Sequence, residues 1–346
     1  MKIGIVTVYR SENCGSYLQA WAMQTVLREM GHEPQFLPYE VPLNNRREVG
    51  FQVFKCCVKG RFSTARFLLE RRRLFRLSQK KLQICRDVKQ LDVCIFGSDT
   101  IWNFEDAFFR AQRDFFLGFG MNCPKIAYAV SVGSTSGEQF WAVEGVKHAV
   151  ESFSAVGVRD AHLQNILSYG AVCKNMTRVI DPTMLLKPEM YAENPALKLP
   201  GRFVFVYYFG RMSDGVYSQL KDFCEKRGLE IMHMGFPDKR FSSNVTNAPE
   251  NFVRCFREAD FVLTNTFHGC VFSILFNKRF ATDGYTKKKV DDLIRGFHLE
   301  TQYLQPTRTV EDCFETEIPY GCVNAQLNML RAESLGFLKD SLESTR

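Results

Sequence analysis

The sequence contains no long hydrophobic run. No apolar stretch approaches the roughly 18 residues that a membrane-spanning helix requires. The apolar run at the amino terminus ends at Val8, where polar residues follow almost at once. It is too short for the apolar region of a signal peptide, and no small-residue cleavage site follows it. We therefore expect a cytoplasmic protein.

Paired cysteine motifs are also absent, although the chain has twelve cysteines. No two of them have the C-x-x-C spacing, and the six histidines do not cluster with them at zinc-ligand spacing. Several, such as Cys94 and Cys224, lie inside apolar stretches, where cysteine behaves as a small hydrophobic residue. This pattern predicts reduced, mostly buried thiols and no metal site.

Acidic residues are scarce in one segment of the chain. The whole protein has 45 Lys+Arg and 38 Asp+Glu, a net charge of +7. Residues 44–90 hold fourteen basic and three acidic residues, a balance of +11, so the rest of the chain carries −4. Five phenylalanines and the run Arg71-Arg72-Arg73 lie in this segment. Two interpretations stay open: a solvated helical face with an apolar stripe toward the core, favoured for folding, and a surface for anionic lipid headgroups.

The chain has 346 residues, of which 45% are hydrophobic and 24% charged, which is typical of a globular protein with two domains. Its beginning predicts a strand at Lys2–Val8, a turn, a helix at Tyr17–Met30 that Gly31 ends, and a second strand at Gln35–Pro38. A strand–helix–strand unit of this kind predicts a parallel sheet.

The alternation of strands and helices continues along the chain. Further strands are predicted at 91–96, 125–130, 155–158, 203–208, 230–234, 261–264 and 279–282, and helices at 138–149, 160–167, 215–227, 250–256, 269–276, 290–297 and 323–342. The stretch 188–201 holds three prolines and little apolar periodicity, which predicts a linker.

We therefore expect an α/β protein with two doubly wound Rossmann-like domains that face a cleft. The first domain covers residues 1–195 and carries a basic helical insertion at 44–90; the second covers 196–322; a C-terminal helix follows at 323–346. Ligands of such sheets bind beyond the carboxyl ends of the strands, so the motifs just after strands are the candidate sites.

Two of these motifs are small polar turns. Asn13, Gly15 and Ser16 follow the first strand, where free amides at a helix start hold an anion or hydroxyl; a plain helix cap is the alternative. Asp99 and Trp102 follow another strand. Asp99 is placed to accept hydrogen bonds from sugar hydroxyls and Trp102 to stack on a sugar face, and the alternative is a surface aspartate with a buried tryptophan.

Cationic side chains follow three other strands. Arg159 suits bidentate binding of a carboxylate or phosphate, or else forms a surface salt bridge. His268 and Gly269 open an apolar helix, which places the imidazole for a phosphoryl oxygen and a proton transfer. The run Lys287-Lys288-Lys289 precedes a helix, either as a solvated basic turn or as part of an anion site.

These motifs together resemble the polysaccharide pyruvyl transferase family. The resemblance runs in order through Asn13-x-Gly15-Ser16 with Leu18-Gln19-Ala20, Gly97-Ser98-Asp99-x-x-Trp102-Asn103, Val158-Arg159-Asp160, Asp181-Pro182-Thr183, and Phe267-His268-Gly269 with Ser273 and Phe276. It covers roughly residues 1–300. Cys14 departs from the family, which usually has Tyr or Phe there, and three lysines stand where members carry a single Lys or Arg.

The resemblance implies a glycosyltransferase-B-like fold and transfer of the enolpyruvyl-derived group of phosphoenolpyruvate to a sugar. The acceptor would belong to a capsular, exo- or cell-wall polysaccharide or its lipid-linked precursor, and the products would be a pyruvate ketal and phosphate. Phosphoenolpyruvate is a co-substrate in this scheme, and no cofactor or metal is implied.

The resemblance also assigns roles to residues. The expected donor-binding residues are Arg159, His268, Gly269, Lys289 and Lys288, with Lys289 preferred over its neighbours. His268 would protonate the methylene carbon, hold the leaving phosphate, or do both in sequence. The expected acceptor-binding residues are Asn13, Gly15, Ser16, Ser98, Asp99 and Trp102, with Asp99 as a base.

Lipid-linked sugars imply a place of action at the inner face of the cytoplasmic membrane, where the basic segment would dock. One rival hypothesis is a nucleotide-sugar-dependent glycosyltransferase of the same fold, because fold does not fix function. A second is a nucleic-acid-binding module; no nucleic-acid motif supports it, so we expect no nucleic-acid partner.

Overall fold

The computed structural model describes residues 1–39, 43–170 and 176–345, with side chains from residue 50 onward in the second range. Cys173 and the first side chains of the predicted insertion, at 44–49, therefore lie outside the described residues. Within these ranges the chain forms two sheets in which every pair of neighbouring strands is parallel. The prediction of two doubly wound α/β domains is confirmed.

The first sheet has the strand order β2-β1-β3-β4-β5-β6. Its strands are β1 (Lys2–Val6), β2 (Glu33–Phe36), β3 (Val93–Phe96), β4 (Lys125–Val130), β5 (Ala155–Val158) and β6 (Met176–Arg178). The helices of this domain are α1 (Cys14–Glu29), α2 (Leu43–Val58), α3 (Phe62–Gln79), α4 (Ala107–Ala111), α5 (Arg113–Leu117), α6 (Gly137–Trp141), α7 (Val146–Glu151), α8 (Ala161–Tyr169) and α9 (Pro182–Leu185).

The second sheet has the strand order β11-β10-β7-β8-β9. Its strands are β7 (Phe203–Tyr207), β8 (Glu230–Met234), β9 (Ser243–Val245), β10 (Phe261–Thr264) and β11 (Arg279–Thr282). The helices of this part are α10 (Asp214–Arg227), α11 (Pro249–Glu258), α12 (Phe267–Leu275), α13 (Lys288–Gly296), α14 (Val310–Glu315) and α15 (Tyr320–Glu343). In the described ranges, three short 3₁₀ helices occupy Val88–Gln90, Pro188–Met190 and Glu300–Gln302.

Both faces of each sheet are buried, which is why the strands are almost continuously apolar. In β7, Phe203 and Phe205 belong to one apolar cluster, whereas Val204 and Val206 belong to another on the opposite face. The first of these clusters extends into the other domain and includes Tyr17 of α1. The two domains therefore share part of one hydrophobic core.

The last helix, α15, returns from the second domain to the first. Arg331 Nε donates to the carbonyl of Met184 at 2.9 Å, and Ser334 Oγ accepts from the amide of Ile180 at 3.1 Å. Phe337 packs on Gly157 of β5, where an added Cβ would lie 2.8 Å from its ring. The helix fixes the two domains to each other on the side of β5 and β6.

Several elements differ from the sequence predictions. The single helix predicted at 138–149 is two helices, because Gly145 has a left-handed φ of 77° between α6 and α7. Helices α4, α5 and α14 and strand β9 were not predicted, since each has six residues or fewer and shows too little periodicity. The final helix begins at Tyr320, three residues before its predicted start.

The predicted insertion is a helical hairpin of α2 and α3. Arg71 of α3 points inward: its guanidinium pairs with Glu12 at 2.8 Å and lies 5.1 Å from the ring centroid of Phe236 in the second domain. Farther along α3, Ser78 Oγ donates to Glu250 of α11 at 2.8 Å. The inner face of the hairpin therefore contacts both domains at one side of the cleft.

The eleven cysteines in the described part of the chain are free thiols, seven of them buried, as predicted. Among the described residues, no group of three or more His, Cys, Asp or Glu side chains is placed to hold a metal ion. No described helix is long and apolar enough to cross a membrane.

Candidate active site

Asp181 lies at the centre of a group of polar side chains between the two domains. It caps α9 through Oδ1, which accepts from the amide of Thr183 at 3.0 Å and its hydroxyl at 2.7 Å. Its Oδ2 accepts from Arg159 at 2.8 Å and from Ser98 at 3.2 Å. Because β3, β5 and β6 are parallel, their carboxyl ends bring these residues to one edge of the sheet.

Arg159 is a buried cation of which only 3% of the side chain is exposed. Burial would lower the pKa of its guanidinium, but Asp181, Asp99 and Asp160 outweigh burial and hold that pKa above its ordinary value. The guanidinium lies 4.6 Å from the ring centroid of Phe267, which comes from the second domain. Arg159 is therefore charged, and its guanidinium lies between Asp181 of the first domain and Phe267 of the second.

His268 reaches across the cleft from the first turn of α12. Its Nε2 lies 3.8 Å from Asp181 Oδ2, and its ring packs directly on the backbone of Gly15 in α1. Burial, the largest influence, lowers the pKa of His268 below its ordinary value, against the opposing effect of Asp181 and Asp99. The imidazole is therefore neutral at neutral pH in the free protein.

Asp99 is the second carboxylate of the group. It has a left-handed φ of 71°, and its Oδ2 accepts from Ser16 Oγ at 2.6 Å. Burial would raise the pKa of Asp99, but Arg159, Lys289 and His268 outweigh it and hold that pKa below its ordinary value. Asp99 is therefore an anion that lies between the two domains.

The three lysines at 287–289 have different surroundings. Lys287 Nζ donates to the carbonyl of Asn265 at 2.7 Å, so its ammonium group already has a partner. Lys288 is exposed at the rim, and Lys289 lies deeper. Burial, followed by the positive charge of Arg159, lowers the pKa of Lys289, which shows that the two cations repel each other.

An anion between these groups would satisfy donors that are otherwise unused. Among the described residues, Nε and Nη2 of Arg159 and Nε2 of His268 are buried without a hydrogen-bond partner. Such atoms normally have partners in folded proteins. A cavity of about 690 Å³ opens beside Arg159 and is bordered by Arg159, Asp181, Phe267 and Lys289, whereas His268 does not line it. The arrangement therefore suits a small ligand with two negatively charged groups.

Two predicted acceptor residues are corrected by the structure. Trp102 is fully buried among aromatic rings of the first domain, and its indole N–H donates to the carbonyl of Phe116 at 3.1 Å. The prediction that it stacks on a sugar is wrong. Ser98 is also fully buried, and its hydroxyl supports Asp181, so its predicted contact with an acceptor is wrong as well.

Four other predicted residues use polar groups within the protein. The side chain of Asn13 caps α1 by accepting from the amides of Gly15 and Ser16. The amide of Gly269 donates to Thr266 Oγ1 at 2.9 Å, so it is not free for a donor substrate, and that prediction is wrong. The prediction of amide donors in the Asn13–Ser16 turn is wrong for the same reason.

The sequence interpretation gave Asp181 no role of its own. Its position after a strand and before Pro182 was the available signal, because it placed a carboxylate at the same sheet edge as Arg159. Phe209 and Phe236 are two further residues that the sequence interpretation did not consider. They follow β7 and β8 and are 45% and 59% exposed, which is unusual for phenylalanine.

Comparisons with known proteins agree with this architecture. The sequence model described as "Polysaccharide pyruvyl transferase" matches residues 13–282. None of the curated proteins with which the sequence was compared matches it significantly.

Among solved structures, the chain is similar to a putative UDP-N-acetylglucosamine 2-epimerase from Listeria monocytogenes, with a TM-score of 0.52 and 9% identity over 96% of this chain and 90% of that one. It is also similar to the UDP-GlcNAc 2-epimerase of Methanocaldococcus jannaschii, with a TM-score of 0.50 and 8% identity over 96% and 99%. At such identities the likeness concerns the fold alone, which is the predicted glycosyltransferase-B-like fold.

Proposed function

Since this chain belongs to the polysaccharide pyruvyl transferase family, we propose that it transfers the enolpyruvyl-derived group of phosphoenolpyruvate to a sugar and forms a pyruvate ketal. The acceptor in this proposal belongs to a capsular, exo- or cell-wall polysaccharide or to its lipid-linked precursor. The observation that supports the donor is the set of unpartnered buried donors on Arg159 and His268 next to Lys289. Phosphoenolpyruvate offers a carboxylate and a phosphate, which match two cationic groups.

In the proposed complex, Arg159 binds one anionic group of the donor and Lys289 the other. A bound anion removes the repulsion between these two cations, and Asp181 keeps the guanidinium in place. His268 lies beside the same anion and gains a proton when negative charge arrives. In this proposal phosphoenolpyruvate is a co-substrate, and no resident cofactor takes part.

The reaction in this proposal has two stages. Protonated His268 gives its proton to the methylene carbon of phosphoenolpyruvate, which becomes a methyl group and leaves C2 electrophilic. A sugar hydroxyl adds to C2 and loses its proton to a base. A second hydroxyl of the same sugar then displaces phosphate from C2, and its proton leaves with the phosphate. The products are a cyclic ketal and inorganic phosphate.

The acceptor side of the proposal uses Asp99 and Ser16. Asp99 is anionic and faces the cleft, so it accepts a hydrogen bond from a sugar hydroxyl and takes its proton during attack. Since Trp102 is buried, the ring of Phe209, whose amide donates to Asn265 near His268, replaces it as the candidate surface for the apolar face of a sugar.

Replacing Lys289 with methionine is expected to weaken binding of phosphoenolpyruvate by roughly 10- to 100-fold, since a hydrogen bond to a charged group contributes about 1.5–3 kcal/mol. Calorimetric titration of phosphoenolpyruvate measures this, with inorganic phosphate and pyruvate as reference ligands. Lys147→Met, which changes an exposed lysine of α7, is the matched control and should bind like the wild type.

Lys288→Met tests whether Lys288, rather than Lys289, binds the donor. If it weakens donor binding and Lys289→Met does not, the assignment to Lys289 is wrong.

Titration of a nucleoside diphosphate tests the rival glycosyltransferase. Tight binding that phosphoenolpyruvate does not displace would replace the pyruvyl transferase proposal with that rival.

Gly15 gives a second prediction, because only glycine at this position leaves room for the ring of His268. A Cβ added at Gly15 would lie 2.1 Å from Nδ1 and 2.4 Å from Cγ of the imidazole. Gly15→Ala is therefore expected to displace the ring and lower turnover roughly 100-fold, the order of effect of moving a reacting group by about 1 Å. Phosphate release in the presence of donor and acceptor measures turnover.

The control for this change is Gly215→Ala in α10, where nothing lies within 4 Å of an added Cβ. It should keep wild-type turnover and the same unfolding midpoint. Wild-type turnover in Gly15→Ala would mean that the position of His268 against α1 does not matter for the reaction.

A further inference from the structure

The outer surface of the α2–α3 hairpin is apolar although it faces solvent. Phe51, Phe54 and Val58 recur at helical spacing along α2 and are 64%, 65% and 70% exposed. Phe62 at the start of α3 is 67% exposed, and Leu69, two turns later, is 55% exposed. Single exposed apolar residues are common, but a group of this size on one hairpin indicates an interaction surface.

Basic residues surround these apolar side chains. Lys55, Lys59 and Arg61 are exposed at the tip of the hairpin, and Arg66 and Arg76 are exposed along α3. Among the hairpin side chains that the structure describes, residues 50–79, the only acidic one is Glu70, and it is already paired with Arg73 at 2.8 Å. The surface therefore combines exposed apolar side chains with positive charge that neighbouring acidic residues do not balance.

We propose that the outer face of the α2–α3 hairpin docks on an anionic lipid bilayer. A helix with apolar and basic residues on one exposed face lies in the headgroup region of a membrane, where phenylalanine enters the acyl boundary and Lys and Arg meet anionic headgroups. Charge complementarity favours an anionic lipid bilayer over a second copy of the chain as the partner of this face, because two copies would bring like charges together.

The hairpin also has a defined position relative to the site. Its inner face holds Arg71, which bridges Glu12 before α1 and Phe236 after β8, so the hairpin that carries the docked face lies at one side of the cleft. The inward orientation of Arg71, whose side chain is 14% exposed, also shows that the run Arg71-Arg72-Arg73 is not as a whole the docking surface. A lipid-linked acceptor, which rests on the proposed function, would reach the cleft beside this face.

Sedimentation with vesicles tests the docking without any substrate. The full chain is expected to bind vesicles of phosphatidylcholine with phosphatidylglycerol and not vesicles of phosphatidylcholine alone, and to release them as salt is raised from about 0.1 M to about 1 M. Phe54→Ser combined with Val58→Ser and Phe62→Ser should remove binding. Arg61→Gln combined with Arg66→Gln and Arg76→Gln should weaken it roughly 100-fold, at about 1 kcal/mol for each basic residue.

The matched control combines Tyr169→Ser with Met329→Ser, two exposed apolar residues away from the hairpin, and should bind like the wild type. Equal binding by the hairpin variants, or equal binding to neutral vesicles, would overturn the proposal. A dimer in solution that the Phe54, Val58 and Phe62 changes convert to monomer would assign the surface to a second copy instead. Preference for duplex DNA over vesicles would also overturn it. Because no donor is present, failure here is distinct from failure of the pyruvyl transferase proposal.

Discussion

Replacing His268 with glutamine is expected to lower turnover at saturating substrate by roughly 1,000-fold, in the middle of the range for a lost general acid. Glutamine keeps a polar side chain of similar reach but has no proton that titrates near neutral pH. The donor site retains Arg159 and Lys289, so binding of phosphoenolpyruvate should weaken far less than turnover. Steady-state phosphate release and calorimetric titration separate these two effects.

The pH dependence of donor binding follows from the same residue. Burial holds the pKa of His268 below its ordinary 6.5 in the free protein, so the ring is neutral at neutral pH. Bound phosphoenolpyruvate adds negative charge beside the ring and raises that pKa, so binding takes up a proton. Affinity must then fall as the pH rises toward and through the pKa of His268 in the complex. Titrations in buffers with different enthalpies of ionisation measure this proton uptake.

The control is His148→Gln, which changes an exposed histidine of α7 and should leave turnover and proton uptake unchanged. If His268→Gln keeps most of the turnover, His268 is not the proton donor. If turnover falls but proton uptake on donor binding persists in His268→Gln, another group gains the proton and the assignment of the acid is wrong.

Replacing Asp181 with asparagine is expected to lower the free energy of unfolding by about 3–5 kcal/mol, the usual effect of removing one partner of a buried ion pair. The side chain of Asp181 is fully buried, and that of Arg159 is 3% exposed, so the guanidinium would stay buried without the carboxylate with which it forms its ion pair. Urea unfolding followed by tryptophan fluorescence measures the change. Donor binding should weaken in parallel, because Arg159 loses the group that orients it.

Asp181 also predicts how stability changes in acid. Burial would raise the pKa of Asp181, but His268 and Arg159 outweigh it and hold that pKa below its ordinary 3.8. Its stabilising contribution is therefore complete above pH 3.8 and is lost as the pH falls through the lower, folded-state value. Wild-type stability should drop in this acidic window by more than that of Asp181→Asn.

Two further variants distinguish a charge effect from general disruption. Asp181→Leu combined with Arg159→Met removes both charges and should recover a large part of the lost stability. Glu70→Gln breaks the solvent-exposed pair with Arg73 and should leave stability nearly unchanged. If Asp181→Asn is as stable as wild type, or if the double variant is no more stable than Asp181→Asn, the buried pair does not stabilise the fold as described.

Most of the fold was predictable because strands buried on both faces are short, apolar and followed by clear turns. Strands at 125–130, 155–158 and 261–264 were predicted with the observed bounds for this reason. The failures are of two kinds. Elements such as β9 are too short for a periodic signal, and the break at Gly145 depends on a backbone conformation that a glycine permits but does not require.

The candidate site was predictable only as a set of positions after strands. Arg159 and His268 were identified because basic side chains just after strand ends are placed toward a cleft. The burial of Trp102 was only one of two open alternatives, since an aromatic residue in a turn packs inward or outward according to neighbours that are distant in sequence, here Phe140 and Phe153. The role of Asp181 depended on the adjacency of β5 and β6, which a sequence without contacts does not contain.

The apolar cluster shared by the two domains restricts the route by which substrates enter and leave. Trp21 of α1 contacts Tyr191 at 5.4 Å between ring centroids, and Tyr191 contacts Phe272 of α12 at 5.3 Å. A hinge motion that opened the cleft would expose these rings to water and break the hydrogen bond that the Cys14 thiol donates to Asn247 Oδ1. Opening the cleft by a hinge motion would therefore cost free energy, and in the proposed reaction we expect the substrates to enter and leave with the two domains held in this arrangement.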